Sequence, residues 1–263
     1  MGIDTSTGKP LEKLNMGGRT NQMDIDPAIL MVGKPMGSIQ GWTWLGLWKT
    51  TEADEAAKWG QKPGDNHFKS YSGYKTASGL YQRTNDDLRI IGKAFPDVTM
   101  GWNNTFTYKN FDVNLFLSGS FGHDRINLAR WFLNEQHSDA KMITGRDGWL
   151  NRWTPENQDT KVPNPFSASI QSSVCSHQYL ESGNYVRIRN LSLSYTLPRK
   201  LINNMGDIRI SISGQNLYTF TKYTGLDPEV TMSTGGQTDT NAGVDGFNYP
   251  LPRTFTASLR LMF

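Results

Sequence analysis

Cysteine is nearly absent: Cys175 is the one thiol in 263 residues, which excludes a disulfide framework and a thiolate metal cluster. Long apolar runs are missing too. With hydrophobic residues at 37%, a mean hydropathy of -0.54 and no run of about 18 apolar residues, a membrane-spanning helix is excluded. A membrane β-barrel is not, because its strands are only half apolar. Charge of one sign is also scarce. The net charge is +3 and the basic residues are scattered, so no nucleic-acid footprint is predicted.

Catalytic and metal-binding signatures are wanting as well. His67, His123, His137 and His177 show no H-x-x-x-H or H-E-x-x-H spacing and read as surface residues. His123-Asp124 and the loop serines lack a G-x-S-x-G elbow, so no hydrolase triad is predicted. Ser233-Thr-Gly-Gly-Gln237 has no Lys-Ser/Thr and no helix after it, which argues against a phosphate cradle. No enzyme activity, metal or cofactor is expected. The stretch Met1 to Pro10 lacks a basic region and an apolar region, so it is not a signal peptide. For a protein acting outside the cytoplasm, the expectation is the downstream piece of something longer.

What the chain does have is aromatics, glycine and a period of two. In Arg253 to Phe263, Phe255, Ala257, Leu259, Leu261 and Phe263 share one face, and Thr254, Thr256, Ser258, Arg260 and Met262 share the other. That length matches the roughly 9–11 residues of a tilted bilayer-crossing strand. A hairpin is read upstream: Val98, Met100, Trp102, Phe106 and Tyr108 alternate with polar residues. After Lys109-Asn110, the return places Phe111, Val113, Leu115, Leu117 and Phe121 on one face, with Phe116 as the exception. Strands are also expected over 184–197 and 207–220. In the first of these, Leu191, Leu193, Tyr195 and Leu197 alternate cleanly but Val186 and Ile188 fall out of phase, so a bulge is predicted near Asn190. The Gly- and Trp-rich stretch Met36 to Trp48 reads as extended, and Thr51 to Lys58 as a short helix capped by Thr50 or Thr51.

Connections at 109–110 and 198–206 are short, whereas those at 49–96, 123–182 and 222–252 are long. This strict alternation suits a barrel with short periplasmic turns and long extracellular loops, and not a compact soluble domain. The predicted fold is all-β: an antiparallel transmembrane β-barrel segment of about six strands, with the last strand ending at the periplasmic face.

Several stretches, in order, resemble the late barrel of SusC/RagA-type TonB-dependent outer-membrane transporters. They are Val32-Gly-Lys-Pro-Met-Gly-Ser38, Phe95-Pro-Asp97 with the hairpin from Gly101 to Leu117, Tyr179 to Pro198, Ser213-Gly-Gln-Asn-Leu-Tyr218, Gly225-Leu-Asp-Pro-Glu229 and Tyr249-Pro-Leu-Pro-Arg-Thr-Phe255. The resemblance implies that residues 1–263 are the C-terminal part of a 22-stranded barrel whose plug domain and early strands are not in this sequence. It implies a cell outer membrane location, import of glycans or peptides, a SusD-like surface lipoprotein over the mouth, and a TonB complex acting through the absent N-terminal part. The rest of the barrel and outer-membrane lipid are the remaining partners.

In many relatives the loop between Asp65 and Gly92 carries an acidic, calcium-loop-like run. Here its interior, Ser70 to Gly79, has no carboxylate, so no metal is expected there. Trp131, Trp149 and Trp153 are the candidates for contact with substrate at the mouth, or alternatively for pinning their own loop or meeting a partner. Trp102, Tyr108, Phe111, Tyr195, Phe255 and Phe263 suit interfacial girdles. Phe255, Leu259, Leu261 and Phe263 resemble the terminal signal read by the outer-membrane assembly machinery. The alternative reading is a secreted soluble β-sandwich that binds or cleaves polysaccharide, which would be monomeric without detergent.

Overall fold

A computed structural model describes residues 10, 12–17, 25–134, 145–166, 175–198, 206–229, 243–246 and 249–262. Its strands, in chain order, are β1 (Lys13–Gly17), β2 (Ala28–Met31), β3 (Ser38–Gly41), β4 (Trp44–Leu47), β5 (Asn66–Phe68), β6 (Arg89–Lys93), β7 (Val98–Tyr108), β8 (Phe111–Phe121), β9 (Asp124–Asn127), β10 (Leu180–Ser182), β11 (Tyr185–Thr196), β12 (Asp207–Thr221), β13 (Val244–Asp245) and β14 (Thr254–Met262). Three short helices accompany them: α1 (Ala53–Ala57), α2 (Leu128–Asn134) and α3 (Arg146–Leu150).

The long strands form one antiparallel sheet in the order β14-β12-β11-β8-β7. It holds five strands. The sixth expected segment, 36–48, is divided between β3 and β4, which belong to two other small sheets. Glycines at 37, 41 and 46 break its alternation, and a Cβ at Gly41 would come within 2.5 Å of the Cys175 carbonyl oxygen. The β7–β8 hairpin closes on Tyr108 opposite Phe111, and its two-residue link places Lys109 at φ 54°.

Register decides which side chains share a face. Across the sheet, Leu115 pairs with Leu191, Leu191 with Gly214, and Gly214 with Phe255; two rungs further on, Phe111, Tyr195, Ile210 and Leu259 line up. One face is therefore largely apolar, with Asn104 of β7, opposite Leu115, as its exception. The other carries Thr105, Asn114, Ser192, Ser213 and Thr256 along one rung, and Asp112, Ser194, Ser211 and Ser258 along another. Phe116 sits on this polar face, its ring over Gly101, where an added Cβ would lie 3.4 Å away.

The predicted bulge is present. Ile188 pairs with Leu117 and Asn190 with Phe116, which leaves Arg189 as an extra residue. That single insertion returns Val186 and Ile188 to the apolar face with Leu191, resolving the phase break seen in the sequence. On the facing strand Asn216 takes φ 52°, a left-handed conformation that asparagine tolerates better than most residues.

The long connections are not structureless. They fold into a cap at one end of the sheet, built from the orders β1-β2-β3-β6, β10-β9-β13 and β4-β5. The buried core sits here, in a cluster of Ile39, Ala94, Ile126, Leu128, Trp131, Cys175, Tyr179 and Val244. Asn127 starts α2 by accepting a bond from Arg130 N at 2.9 Å. The helix near residue 51 begins as a 3-10 turn at Thr50–Glu52. Its cap is not a threonine: Lys49 N donates to the Glu52 carboxylate at 2.9 Å, and Thr50 N donates to Gln158 Oε1 at 2.9 Å. No described helix is long and apolar enough to cross a membrane, which says nothing of crossing by strands.

Candidate functional site

The polar face of the sheet is tied together by its own side chains. Asn114 Nδ2 donates to Asn103 Oδ1 and to Thr105 Oγ1, each at 2.9 Å, and Asn190 Nδ2 donates to Asn114 Oδ1 at 3.4 Å. Nearer the short turns, Thr107 Oγ1 donates to Asp112 Oδ1 at 2.8 Å, and Arg209 pairs with Asp112 Oδ2 at 2.9 Å. The face is a wall of hydroxyls, amides and one ion pair, with Phe116 set among them. The opposite face presents Phe106, Ile212, Phe255 and Leu259, all more than half exposed, an apolar surface of the kind that lipid or further protein covers.

Where the sheet meets the cap, a charge network forms that no single motif announced. Arg187 is 2% exposed; it donates to Asp227 Oδ1 at 2.5 Å, Glu229 Oε2 at 2.8 Å and Thr219 Oγ1 at 2.8 Å. Arg189, the bulge residue, donates to the other Glu229 oxygen, to Ser118 Oγ at 2.9 Å and to Asn216 Oδ1 at 3.3 Å. Asp227 also accepts Glu229 N at 3.0 Å and Leu251 N at 3.2 Å. Two guanidiniums thus pin Gly225-Leu-Asp-Pro-Glu229 and the approach to β14 onto the bulge. Multidentate arginine suits this task, since lysine offers no comparable fork.

The loop without interior carboxylates is organised by a carboxylate further on. Asp87 is fully buried and accepts Tyr71 N at 2.5 Å, Ser72 N at 2.7 Å, Thr84 N at 2.9 Å and Ser72 Oγ at 3.1 Å. These donors hold its pKa below the usual carboxylate value although burial opposes them. Among the described residues no group of His, Cys, Asp and Glu is placed to hold a metal ion.

Of the three tryptophans, Trp131 and Trp153 are buried in the cap. Trp131 meets Phe132 edge-on at 5.0 Å, and Trp153 packs against Gly64. Trp149 alone is open, 42% exposed on α3, with the Arg152 guanidinium 4.4 Å from its ring and Phe166 edge-on at 6.1 Å. The structure does not bring the three into one site. Phe255, Leu259 and Leu261 share the apolar face at the edge strand β14 and are exposed; Phe263 lies outside the described residues. His137 and the Ser233–Gln237 run lie outside them as well.

His123 forms no dyad with Asp124. Its ring lies against Gly183, where a Cβ would come within 2.5 Å of Nε2, and Nδ1 has no hydrogen-bond partner among the described residues. Burial and the neighbouring Arg125 charge lower its pKa to about 4. The folded state therefore resists a proton that the unfolded chain accepts near pH 6.5. Stability contributed by neutral His123 is complete above about pH 6.5 and is lost as pH falls from there towards 4, by roughly 3 kcal/mol at most. In acid unfolding of the intact protein, His123→Gln is expected to lack this component. Parallel pH profiles for the two proteins would refute it.

No family model matches the chain. It is 36% identical over 242 residues to TonB-dependent receptor P3 of Formosa agariphila, covering 89% of this chain and 23% of that protein. It is 25% identical over 206 residues to TonB-dependent receptor SusC of Bacteroides thetaiotaomicron, covering 77% and 18%. In fold it is similar to the RagAB peptide transporter, with a TM-score of 0.70 at 24% identity, over 98% of this chain and 25% of that one. The chain thus spans about a quarter of the length of the relatives it matches. With one sheet face largely apolar, the other largely polar, and relatives of one kind along nearly its whole length, this chain is similar to part of the TonB-dependent receptors, SusC among them, and shares the fold of the RagAB peptide transporter over that part.

Proposed function

We propose that the chain forms part of the barrel wall of an outer-membrane importer for glycans or peptides, energised through TonB and lidded by a SusD-like lipoprotein. The observation that carries this reading is the two-faced meander; in the proposed wall its apolar face meets lipid and its polar face (Thr105, Asn114, Ser192, Ser211, Ser258) lines the lumen. Its relatives are receptors and transporters, not enzymes. The cap stands at the extracellular mouth, where Trp149 is placed for substrate. A soluble sandwich would need a second sheet over the apolar face, and among the described residues none covers it. Deleting the gene should abolish uptake of one fluorescently labelled oligosaccharide or peptide class by whole cells, and affinity-tagged receptor should retain a surface lipoprotein. Normal uptake of every such probe would sink the proposal.

The assembly role proposed for Phe255, Leu259, Leu261 and Phe263 separates from a girdle role in the full-length protein. Deleting Phe263 is expected to lower the amount assembled in the outer membrane far more than the stability of what assembles. Normal assembled levels with reduced stability would leave only the girdle role.

A further inference from the structure

The bulge has a second consequence on the apolar face. Bulges increase local twist and bend the strand that carries them. Arg189 and Asn216 are drawn to the polar side by their hydrogen bonds to Ser118, Glu229 and the Pro252 carbonyl. Behind them the opposite face dips into a groove of about 590 Å³, walled by Leu191, Leu193, Ile212, Leu217 and Phe255. Gly214 is its floor, on the rung that runs from Leu191 to Phe255. A Cβ at that position would come within 2.6 Å of the Leu217 side chain, so the depression depends on glycine. No charged side chain lines it.

We infer that this groove seats one acyl chain of a membrane lipid. The inference rests on the membrane placement proposed above. The volume lies within the roughly 300–1,000 Å³ of ordinary ligand sites. An unfilled depression of this kind forfeits the dispersion contacts of its lining, and within a bilayer the filler at hand is a methylene chain. Ser213 and Thr256 also border it, but their side chains belong to the polar-face rung, so the groove offers a polar ligand little. The groove also continues the apolar surface formed by Ile210 and Leu259 one rung pair below, so a chain lying along it stays in contact with hydrocarbon throughout. The bulge beside the groove is held by hydrogen bonds of Arg189 and Asn216, and the ridge around Phe106, 72% exposed on the same face, serves as the control surface.

The experiment uses the full-length receptor purified from outer membranes in nanodiscs and released into native mass spectrometry. The wild-type receptor is expected to retain one lipid through detergent exchange. Gly214→Leu, which fills the floor, and Leu217→Gln, which makes a wall polar, should each lower that retained fraction about tenfold, while Phe106→Leu leaves it unchanged. Heat-modified gel mobility reports that each variant is folded, and either folded variant suffices for the comparison. Equal retention by wild-type and folded groove variants overturns the seat while leaving the importer reading intact. A receptor recovered outside the outer membrane overturns both.

Discussion

Asp227→Ala in the intact receptor is expected to destabilise the assembled barrel by about 3–5 kcal/mol, the cost of leaving a buried charge unpaired. Arg187 is 2% exposed and cannot turn to water when its partner at 2.5 Å is removed. Glu229 remains, but it is shared with Arg189, and Asp227 also satisfies two backbone N–H groups that would be orphaned. Arg187→Lys should cost less, because a single ammonium keeps one charge contact while losing the fork to Thr219 and Glu229. The exposed pair of Lys49 with Asp159 supplies the contrast, since Asp159→Ala should change stability by no more than about 1 kcal/mol. Denaturant titrations of the three variants, read by heat-modifiable gel mobility, decide it. A cost for Asp227→Ala no larger than that for Asp159→Ala would show that the network carries no such load.

The five long strands were legible because alternation persists through most of each, even where a bulge resets its phase in β11 and β12. The two-residue link at Lys109-Asn110 and the phase break before Asn190 added register information of the same local kind. The cap was legible only in part, as in the short helix read at 51–58, and most of its small sheets were not. Its strands run two to five residues, shorter than any window in which alternation can be counted, and several bury polar groups such as Ser38, Gln40 and Asn66. The Arg187 network was hidden for another reason. Its members come from three separate stretches, 187–189, 219 and 227–229, and only the sheet register brings them together. Arg187 and Asp227 stood inside motifs that marked the resemblance, yet nothing in their spacing showed that they touch. Trp131 and Trp153 carry the same lesson. An aromatic residue in a polar loop reads equally as a substrate contact or as a pin for its own loop, and the burial of these two favours the pin.

The apolar face leads to the other large effect. Arginine at Leu115, Ile210 or Leu259 is expected to destabilise the intact receptor by about 2–4 kcal/mol near the bilayer midplane. Ile210 and Leu259 are direct cross-strand partners, and the next rung, Ser211 with Ser258, stands at nearly the same depth but faces the other way. Depth is thereby held constant and only the medium changes. On the polar face a new guanidinium meets water and the hydroxyls of Ser211 or Ser258. On the apolar face it must displace hydrocarbon or snorkel past neighbours such as Leu261 and Phe255, both exposed on that side. Ser211→Arg and Ser258→Arg should therefore cost less than about 1 kcal/mol. The measurement is a denaturant titration of the full-length receptor folded into lipid vesicles, with the four single variants compared pairwise across the two rungs. Equal tolerance on the two faces would mean that Ile210 and Leu259 do not meet lipid, and the barrel-wall reading would fall with that result.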